Sequence, residues 1–219
     1  MVDSDLLRDV ELFADLTPDE LVRVAASAET RELLRGDVLF REDDEPDQLY
    51  VVVRGRVAMV KKSVDGRESM VALMERGDLF GEMPLFYEFG RSADARALET
   101  SEVIAINYGP LRDIYAGRPT LLWGVVRLLA GRLHNTNTAL ADSVFLDVTG
   151  RTAKRLLEVA GEADEFNLPI TQEELAGMVG ASRERVNKAI ASFVRLRWIE
   201  QQDRRYRIVN REELERRAR

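Results

Sequence analysis

The hydrophobic period of this chain changes near residue 107, and this change constrains the possible folds more than any other feature. Between residues 36 and 107, short β-rich segments alternate with turn sequences such as Arg54-Gly55. Asp65-Gly66 is a strong hairpin signal, because both central residues of such a turn adopt positive φ. The predicted strands cover residues 38–40, 49–53, 57–60, 70–74 and 103–106. Several short strands at close spacing indicate a compact β-barrel or roll.

Residues 6–29, which precede the strands, are predicted to form a helix. Thr17 is a suitable N-cap, Pro18 occupies the first helical position, and Glu20 completes a capping box.

A long helix is predicted over residues 119–142, after the strands end. Its seam residues are spaced four, three, four, three and four apart: Leu122, Val126, Leu129, Leu133, Thr136 and Leu140. This is the spacing of a coiled-coil seam, so the sequence predicts pairing with a second copy of the chain. The alternative is an amphipathic helix that packs on its own domain. Residues 145–150 are predicted to be a hinge.

The last third of the chain has the pattern of a winged helix-turn-helix. Helices are predicted at residues 152–160, 171–179 and 182–196, with a turn at Gly180-Ala181 between the second and third. Strands around residues 198–200 and 206–209 would form the small hairpin that follows. Thr171 and Glu174 make a capping box for the second of these helices.

Composition excludes several classes of chemistry. Cysteine is absent, which excludes disulfides, iron–sulfur clusters and thiolate zinc sites. The single histidine, His134, argues against a His-rich metal centre, a haem site or a Ser-His-Asp triad. Residues 1–147 carry a net charge of −10 and residues 148–219 a net charge of +3, which indicates two domains with different partners. We predict that the protein is not an enzyme and is cytoplasmic.

The candidate base-reading surface lies at the start of the third helix. Arg183, Glu184, Asn187 and Lys188 share an arc of about 140° on that helix, and Ser182 caps it. Arginine can grip the O6 and N7 atoms of guanine, and glutamate can accept a hydrogen bond from cytosine. A solvated helix face is the alternative interpretation of the same residues.

The candidate ligand site combines a glycine turn with a cation. Gly81 lets backbone N–H groups approach an anion, while Arg91 and Ser92 offer a planar cation and a hydroxyl to a phosphate. Glu82 would repel a phosphate, so it fits the site only as an acceptor for a sugar hydroxyl, which implies a nucleotide. Without further information, a turn with a surface ion pair is equally compatible.

These motifs together resemble the cyclic-AMP receptor protein branch of the family that also includes the fumarate-nitrate regulators. The resemblance covers essentially the full length and rests on residues 81–82 with 91–93, on residues 145–151 and on residues 179–184. It implies an α+β fold, with a β-roll at residues 1–117, a dimerisation helix and hinge at 118–146, and a winged helix-turn-helix at 147–219.

The resemblance also implies roles for individual residues. Gly81 and Glu82, with Met83 beside them, would hold the ribose, and Arg91 and Ser92 would hold the cyclic phosphate. The adenine would meet the long helices at Arg132, Thr136 and Asn137. The DNA-contacting set would be Thr171, Ser182, Arg183, Glu184, Asn187 and Lys188, and the dimer seam would be Leu122, Val126, Leu129, Leu133 and Leu140.

The function implied is a cyclic-AMP-responsive homodimer that regulates transcription at palindromic operators. Its expected partners are double-stranded DNA, a second copy of itself and RNA polymerase, with cyclic AMP as effector and no metal, haem or iron–sulfur cluster. The chain departs from the family pattern at Met83, Pro84 and Asn137. Two alternatives stay open: a regulator that is constitutive or senses another effector, and a nucleotide-sensing module that does not bind DNA.

Overall fold

The computed structural model describes residues 5–66, 68–87, 89–168 and 170–219. Its internal contacts divide it into two compact units. One comprises the residues up to Leu133 except Glu68–Met70, and the other comprises those three residues and His134–Arg219. The α+β architecture predicted from the sequence is confirmed: a β-roll, a long helix and a winged helix-turn-helix. Within the described residues, no helix is long and apolar enough to cross a membrane.

The first segment contains two helices rather than the single predicted one. Helix α1 is Asp5–Arg8, a 3-10 turn follows at Glu11–Phe13, and α2 is Pro18–Ala26. The capping box at Thr17 is confirmed, since Glu20 N donates to Thr17 Oγ1 at 3.3 Å and Thr17 N donates to the Glu20 carboxylate at 2.8 Å. That same box starts a new helix, which is why the prediction of continuous helix over 6–29 is wrong.

The β-roll is built from two sheets with the strand orders β1-β8-β3-β6 and β2-β7-β4-β5 among the described residues. All five predicted strands are confirmed, and three further strands, β1, β6 and β7, join them. The strands are β1 Ala28–Leu33, β2 Val38–Phe40, β3 Gln48–Arg54, β4 Val57–Lys62, β5 Glu68–Met74, β6 Leu79–Phe80, β7 Asp94–Ala97 and β8 Ser101–Asn107.

Strands β3 and β8 have near-continuous apolar sequences because both of their faces are buried. On β3, Leu49 and Val51 pack with the helices in one core cluster, whereas Tyr50 and Val52 face the second cluster between the sheets. On β8, Ile104 packs in the cluster with the helices, and Val103 packs in the cluster between the sheets. The two central strands are therefore buried on both faces.

The turn between β4 and β5 differs from the predicted one. Gly66 has a φ of +80°, but Asp65 is not among the residues with positive φ. Gly66 N donates to Ser63 O at 2.8 Å, so the turn closes around residues 63–66 instead. The predicted hairpin is confirmed, whereas the predicted turn type is wrong.

The roll continues into helices α3 (Met83–Phe86), α4 (Tyr108–Gly117) and α5 (Leu122–Phe145). The helix α6, Val148–Ala160, then begins almost at once. Asp147 is its N-cap, accepting from Gly150 N at 2.8 Å. Residues 148–150 are therefore helical rather than part of the predicted hinge, because this cap fixes the helix start at Val148.

The C-terminal unit continues with β9 (Glu165–Asn167), α7 (Gln172–Val179) and α8 (Arg183–Arg195). The strands β10 (Ile199–Gln202) and β11 (Arg205–Ile208) form the wing, with β9 on the far side of β11. Helix α9, Arg211–Arg217, ends the chain and buries Leu214.

Candidate functional site

The loop after β6 contacts two of the predicted ligand residues, since Gly81 contacts Arg91 and Glu82 contacts Arg132. Gly81 has a φ of +74°, and a Cβ built on it would lie 2.6 Å from Nη1 of Arg91. Both the backbone conformation and the close approach of the guanidinium therefore require glycine here.

Arg91 is a buried cation that binds neutral groups. Arg91 is only 3% exposed. Its Nη1 donates to Gly81 O at 2.9 Å, and its Nη2 donates to Gln48 O at 2.7 Å. The guanidinium also lies over the ring of Phe40, with its carbon 4.2 Å from the centroid. Among the described residues, Arg91 has no carboxylate partner, and its buried Nε has no hydrogen-bond partner. The site thus offers a positive charge and a spare donor.

Tyr108 is a member of this site that the sequence analysis missed. Its hydroxyl donates to Gly81 O and accepts from Arg91 Nη1 at 3.2 Å. Burial raises the pKa of Tyr108 to about 12, so the hydroxyl stays a neutral donor. Nothing in the local sequence marks Tyr108, because its role arises from a contact with a loop 27 residues away.

Glu82 and Arg132 connect the same loop to helix α5. Glu82 is completely buried; its Oε1 accepts from Arg132 Nη1, and Arg132 also donates to Leu79 O. Glu82 Oε2 is buried without a partner among the described residues. A buried acceptor without a partner is costly unless a ligand completes it. Glu82 Oε2 and Arg91 Nε therefore offer an acceptor for a sugar hydroxyl and a donor for a phosphate.

The other predicted ligand residues are exposed. Met83 is 46% exposed in α3, and Ser92 is exposed next to Arg91. Thr136 and Asn137 have exposed side chains on α5. Their roles as ligand contacts stay predictions.

Helices α7 and α8 form the predicted helix-turn-helix. Glu174 N donates to Thr171 Oγ1 at 3.2 Å and Thr171 N donates to the Glu174 carboxylate at 2.6 Å, which confirms the capping box. Gly180 ends α7 with a φ of +67°. Ser182 caps α8 by accepting from Arg185 N at 3.4 Å. These local bonds define where α7 begins and ends and where α8 begins.

Helix α8 divides into a buried face and a polar face. Val186, Ala189, Ile190 and Phe193 are buried, and Arg183, Glu184 and Lys188 are exposed. Asn187 is half-buried, with Oδ1 lacking a partner in the described part of the chain. Lys188 Nζ lies 2.6 Å from Glu184 Oε1, and this hydrogen bond holds the pKa of Glu184 below its usual value. The predicted base-reading residues thus occupy one exposed face.

A groove beside α8 contains residues that the sequence analysis assigned to the hinge. Its volume is about 320 Å³, and it is lined by Asp147, Val148, Thr149, Arg185, Lys188, Ala189 and Ser192. Its two cations, Arg185 and Lys188, can bind an anion such as a phosphate, whereas Asp147 already accepts from the backbone at the start of α6. The signal that was missed is the Asp147 N-cap, which starts the helix there.

Helix α5 uses one side for its own domain and leaves another exposed. Val125 is buried, and Leu128 and Leu129 pack partly against the core of the first unit. The other predicted seam leucines and valine are exposed by 40 to 62%: Leu122, Val126, Leu133 and Leu140.

Comparisons with known proteins agree with this geometry. Residues 30–118 match the model of the cyclic nucleotide-binding domain, and residues 150–217 match that of the Crp-like helix-turn-helix domain. The chain is 35% identical to the CRP-like cAMP-activated global transcriptional regulator of Mycobacterium tuberculosis, over 99% of this chain and 100% of that protein.

Solved structures give the same result for the fold. Catabolite Activator Protein from Thermus thermophilus aligns over 95% of this chain and 98% of its own, with a TM-score of 0.53 and 28% identity. FixK2 from Bradyrhizobium japonicum aligns over 86% of this chain and 96% of its own, with a TM-score of 0.76 and 21% identity. The chain belongs to the CRP/FNR family of transcription regulators, with a cyclic-nucleotide-binding domain and a DNA-binding helix-turn-helix.

Proposed function

We propose that this regulator responds to cyclic AMP and acts as a homodimer on palindromic operators, where it meets RNA polymerase. The observation that carries the proposal is the buried Gly81–Glu82–Arg91 group, in which Glu82 is held by Arg132 of α5. A ribose hydroxyl suits the open Glu82 oxygen, and a cyclic phosphate suits Arg91. The name of the Mycobacterium tuberculosis relative, a cAMP-activated regulator, supports the same effector.

The contact between Glu82 and Arg132 supports a route from ligand to dimer. A nucleotide hydroxyl that donates to Glu82 would either displace Arg132 from the carboxylate or bind beside it. Arg132 lies on α5, the helix whose exposed leucines suit a partner. A ligand shifts a conformational equilibrium only through contacts that differ between the two states. We propose that the Glu82–Arg132 pair is such a contact.

Homodimerisation is supported by the exposed apolar stripe on α5. Leu133 and Leu140 are more than half exposed, and an isolated helix face of this kind is stabilised by burial against a partner. In such a dimer, two copies of α8 would lie about 34 Å apart and match two half-sites one DNA turn apart.

Calorimetry with cyclic AMP and cyclic GMP, combined with operator binding and sedimentation of the same samples, tests the proposal. We expect saturable binding of cyclic AMP, a dimer, and tighter operator binding when cyclic AMP is present. Equal operator affinity with and without nucleotide would favour the constitutive alternative. Binding of cyclic GMP in preference to cyclic AMP would assign a different effector. The exposed Met83 and the adjoining Pro84, which depart from the family pattern, are the observation that favours these alternatives.

A further inference from the structure

Helix α9 packs along α6 and runs in the opposite direction. At its start, Arg211 donates to Gly161 O at 3.0 Å and to Ala163 O at 2.7 Å, just beyond the end of α6. At its end, Arg217 donates to the carboxylate of Asp147, which is the N-cap of α6. Helix α9 therefore carries an arginine to the start of α6.

Packing on both sides holds Arg217 in place. Leu214, three residues earlier on α9, is completely buried. A Cβ built on Gly150 would lie 3.0 Å from both the carbonyl oxygen and Nη1 of Arg217, so a glycine at this position lets the arginine approach α6 closely. The side chain of Arg217 is 31% exposed, compared with 73% for Arg216. Of these two neighbouring arginines, Arg217 is the one held against the domain.

The carboxylate that Arg217 contacts also lines the groove beside α8. Arg185 and Lys188 contribute two positive charges to this groove, and Asp147 contributes a negative one. A recognition helix in the major groove of DNA has a phosphate backbone on each side of it. When α8 reads bases, the groove beside it would therefore face backbone phosphates.

Asp147 carries a full negative charge at neutral pH. The hydrogen bond from Gly150 N, together with the nearby Arg217, keeps the pKa of Asp147 below its usual value. Its side chain is 64% exposed, so a water-like medium separates its charge from a phosphate in the groove. Two like unit charges about 4 Å apart in such a medium repel enough to change a binding constant about fivefold. Without a counter-charge, Asp147 would therefore oppose a phosphate that Arg185 and Lys188 attract.

We propose that Arg217 is a positioning residue for DNA binding. By pairing with Asp147, it neutralises the carboxylate at the edge of the groove and so allows Arg185 and Lys188 to hold a backbone phosphate. Arg217 acts through Asp147 and does not itself contact the DNA. This role rests on the DNA-binding helix-turn-helix of the family and is independent of the proposed effector.

A double-mutant cycle on Arg217 and Asp147 tests this role, with DNA affinity as the readout. The full-length proteins are titrated at low salt with two labelled duplexes, a palindrome of TGTGA half-sites and a scrambled sequence of the same composition. Arg217→Gln removes the counter-charge of Asp147 and should weaken binding to both duplexes about fivefold for each α8 that contacts DNA. An equal effect on the two sequences is expected, because a phosphate site does not distinguish bases.

Asp147→Asn separates neutralisation of the carboxylate from a direct or a structural role of Arg217. Asparagine is as good an N-cap as aspartate, so this substitution removes the charge and keeps the start of α6. We expect Asp147→Asn to bind both duplexes at least as tightly as wild type. In that background, Arg217→Gln should change the affinity less than about twofold, because no carboxylate is left to neutralise.

Two further variants control for charge and for folding. Arg217→Lys keeps the positive charge and should retain most of the DNA affinity. Arg216→Gln changes the neighbouring arginine, which pairs with Glu213 instead, and should leave the affinity for both duplexes unchanged. Urea unfolding of every variant shows whether α9 stays packed on α6.

The double variant decides the outcome, since it contains the same glutamine at position 217 as the single variant. A loss of affinity in Arg217→Gln that persists in the double variant would overturn the proposal, because Arg217 would then contact the phosphate itself or only hold α9 in place. Unchanged affinity in the single variant would overturn it as well.

Failure of the proposed effector would give a different result. If cyclic AMP does not strengthen binding to the palindrome, the proposed effector is wrong, and the cycle on the scrambled duplex still decides the role of Arg217. If the wild-type protein binds neither duplex, the DNA-binding role of α8 and the role of Arg217 are both wrong.

Discussion

At the scale of single residues, Arg91 combines a structural role with its proposed ligand role. It is 3% exposed and supplies donors to two backbone carbonyls, those of Gly81 and Gln48. The residue that would hold the phosphate therefore also holds the loop that surrounds it. The two roles are separable, because one appears in stability and the other in nucleotide affinity.

Replacement of Arg91 by leucine should show both effects. We expect loss of cyclic AMP binding and a decrease of about 1–3 kcal/mol in the free energy of unfolding, because buried carbonyls lose their donors. Titration calorimetry and urea unfolding measure the two quantities. Arg41→Leu, at an exposed arginine of the neighbouring loop, is the control and should leave both unchanged. Unchanged cyclic AMP affinity in Arg91→Leu would mean that the phosphate lies elsewhere.

Asp147 gives a prediction with a defined pH dependence. The hydrogen bond from Gly150 N, with Arg217 close by, holds the pKa of Asp147 below its usual value. The stabilisation of the folded state by ionised Asp147 is therefore fully present above the unfolded-state pKa of Asp147, about 4. It is lost as pH falls through the lower pKa of Asp147 in the folded state. Asp147→Ala should cost about 1 kcal/mol at neutral pH, and its difference from wild type should shrink below about pH 4.

Urea unfolding at several pH values measures this difference. Asp113→Ala, at an exposed aspartate on α4, serves as the control and should follow the wild-type profile throughout. A deficit in Asp147→Ala that is independent of pH would show that the cap acts without its charge.

At the scale of elements, the capped N-termini of helices were predicted better than the lengths of helices. The caps at Thr17, Thr171 and Ser182 are confirmed, because a cap is a bond between residues three apart in sequence. Strand β1, with the sequence AETREL, was missed, because its polar residues do not alternate with apolar ones. Its pairing with β8, more than 60 residues away, is what makes it a strand.

The same distinction, between contacts that are local in sequence and contacts that only the fold creates, explains which residues of the ligand site were predicted. The sequence pointed to Gly81 and Glu82 through a local motif, and the family resemblance pointed to Arg132. Tyr108 was missed because it reaches Gly81 only through the fold. That Arg91 contacts no carboxylate among the described residues could not be read from the sequence either, since it depends on which side chains the fold brings near it.

The exposed face of α8 leads to a prediction about sequence recognition. Arg183→Ala should cost about 1–3 kcal/mol of operator binding and relax discrimination at one guanine. The family half-site, which resembles TGTGA, supplies the starting operator for binding assays on single-base variants. Arg195→Ala, at the exposed far end of the same helix, should leave specificity unchanged. Equal weakening on all sequences would instead identify Arg183 as a phosphate contact.

At the scale of the whole molecule, the acidic and basic parts of the chain coincide with its two domains. The acidic front half contains the nucleotide-binding domain, and the basic rear half contains the DNA-binding helix-turn-helix. Helix α5 and strand β5 are both divided between the two compact units, α5 after Leu133 and β5 after Met70. In the proposed function, the signal between ligand and DNA runs through α5.

Thr136 is the position on α5 where that signal can be tested. It lies in the predicted seam between Leu133 and Leu140, and in the proposed dimer a polar residue there would set register at some cost in stability. Thr136→Leu should leave a dimer at least as stable as wild type, because an apolar seam residue buries more apolar surface. If Thr136 also meets the adenine, cyclic AMP should no longer strengthen operator binding in this variant.

Operator affinity measured with and without cyclic AMP decides between the two roles of Thr136. In wild type, reciprocal linkage requires that cyclic AMP also bind more tightly when operator is present, by the same factor. In Thr136→Leu both factors should fall to about one together if the residue couples the sites, whereas a packing role leaves both intact. Thr138→Leu, two residues further on the exposed surface of the same helix and outside the seam, is the control for helix propensity and should keep the wild-type ratio. An unaltered ratio in Thr136→Leu would restrict Thr136 to packing.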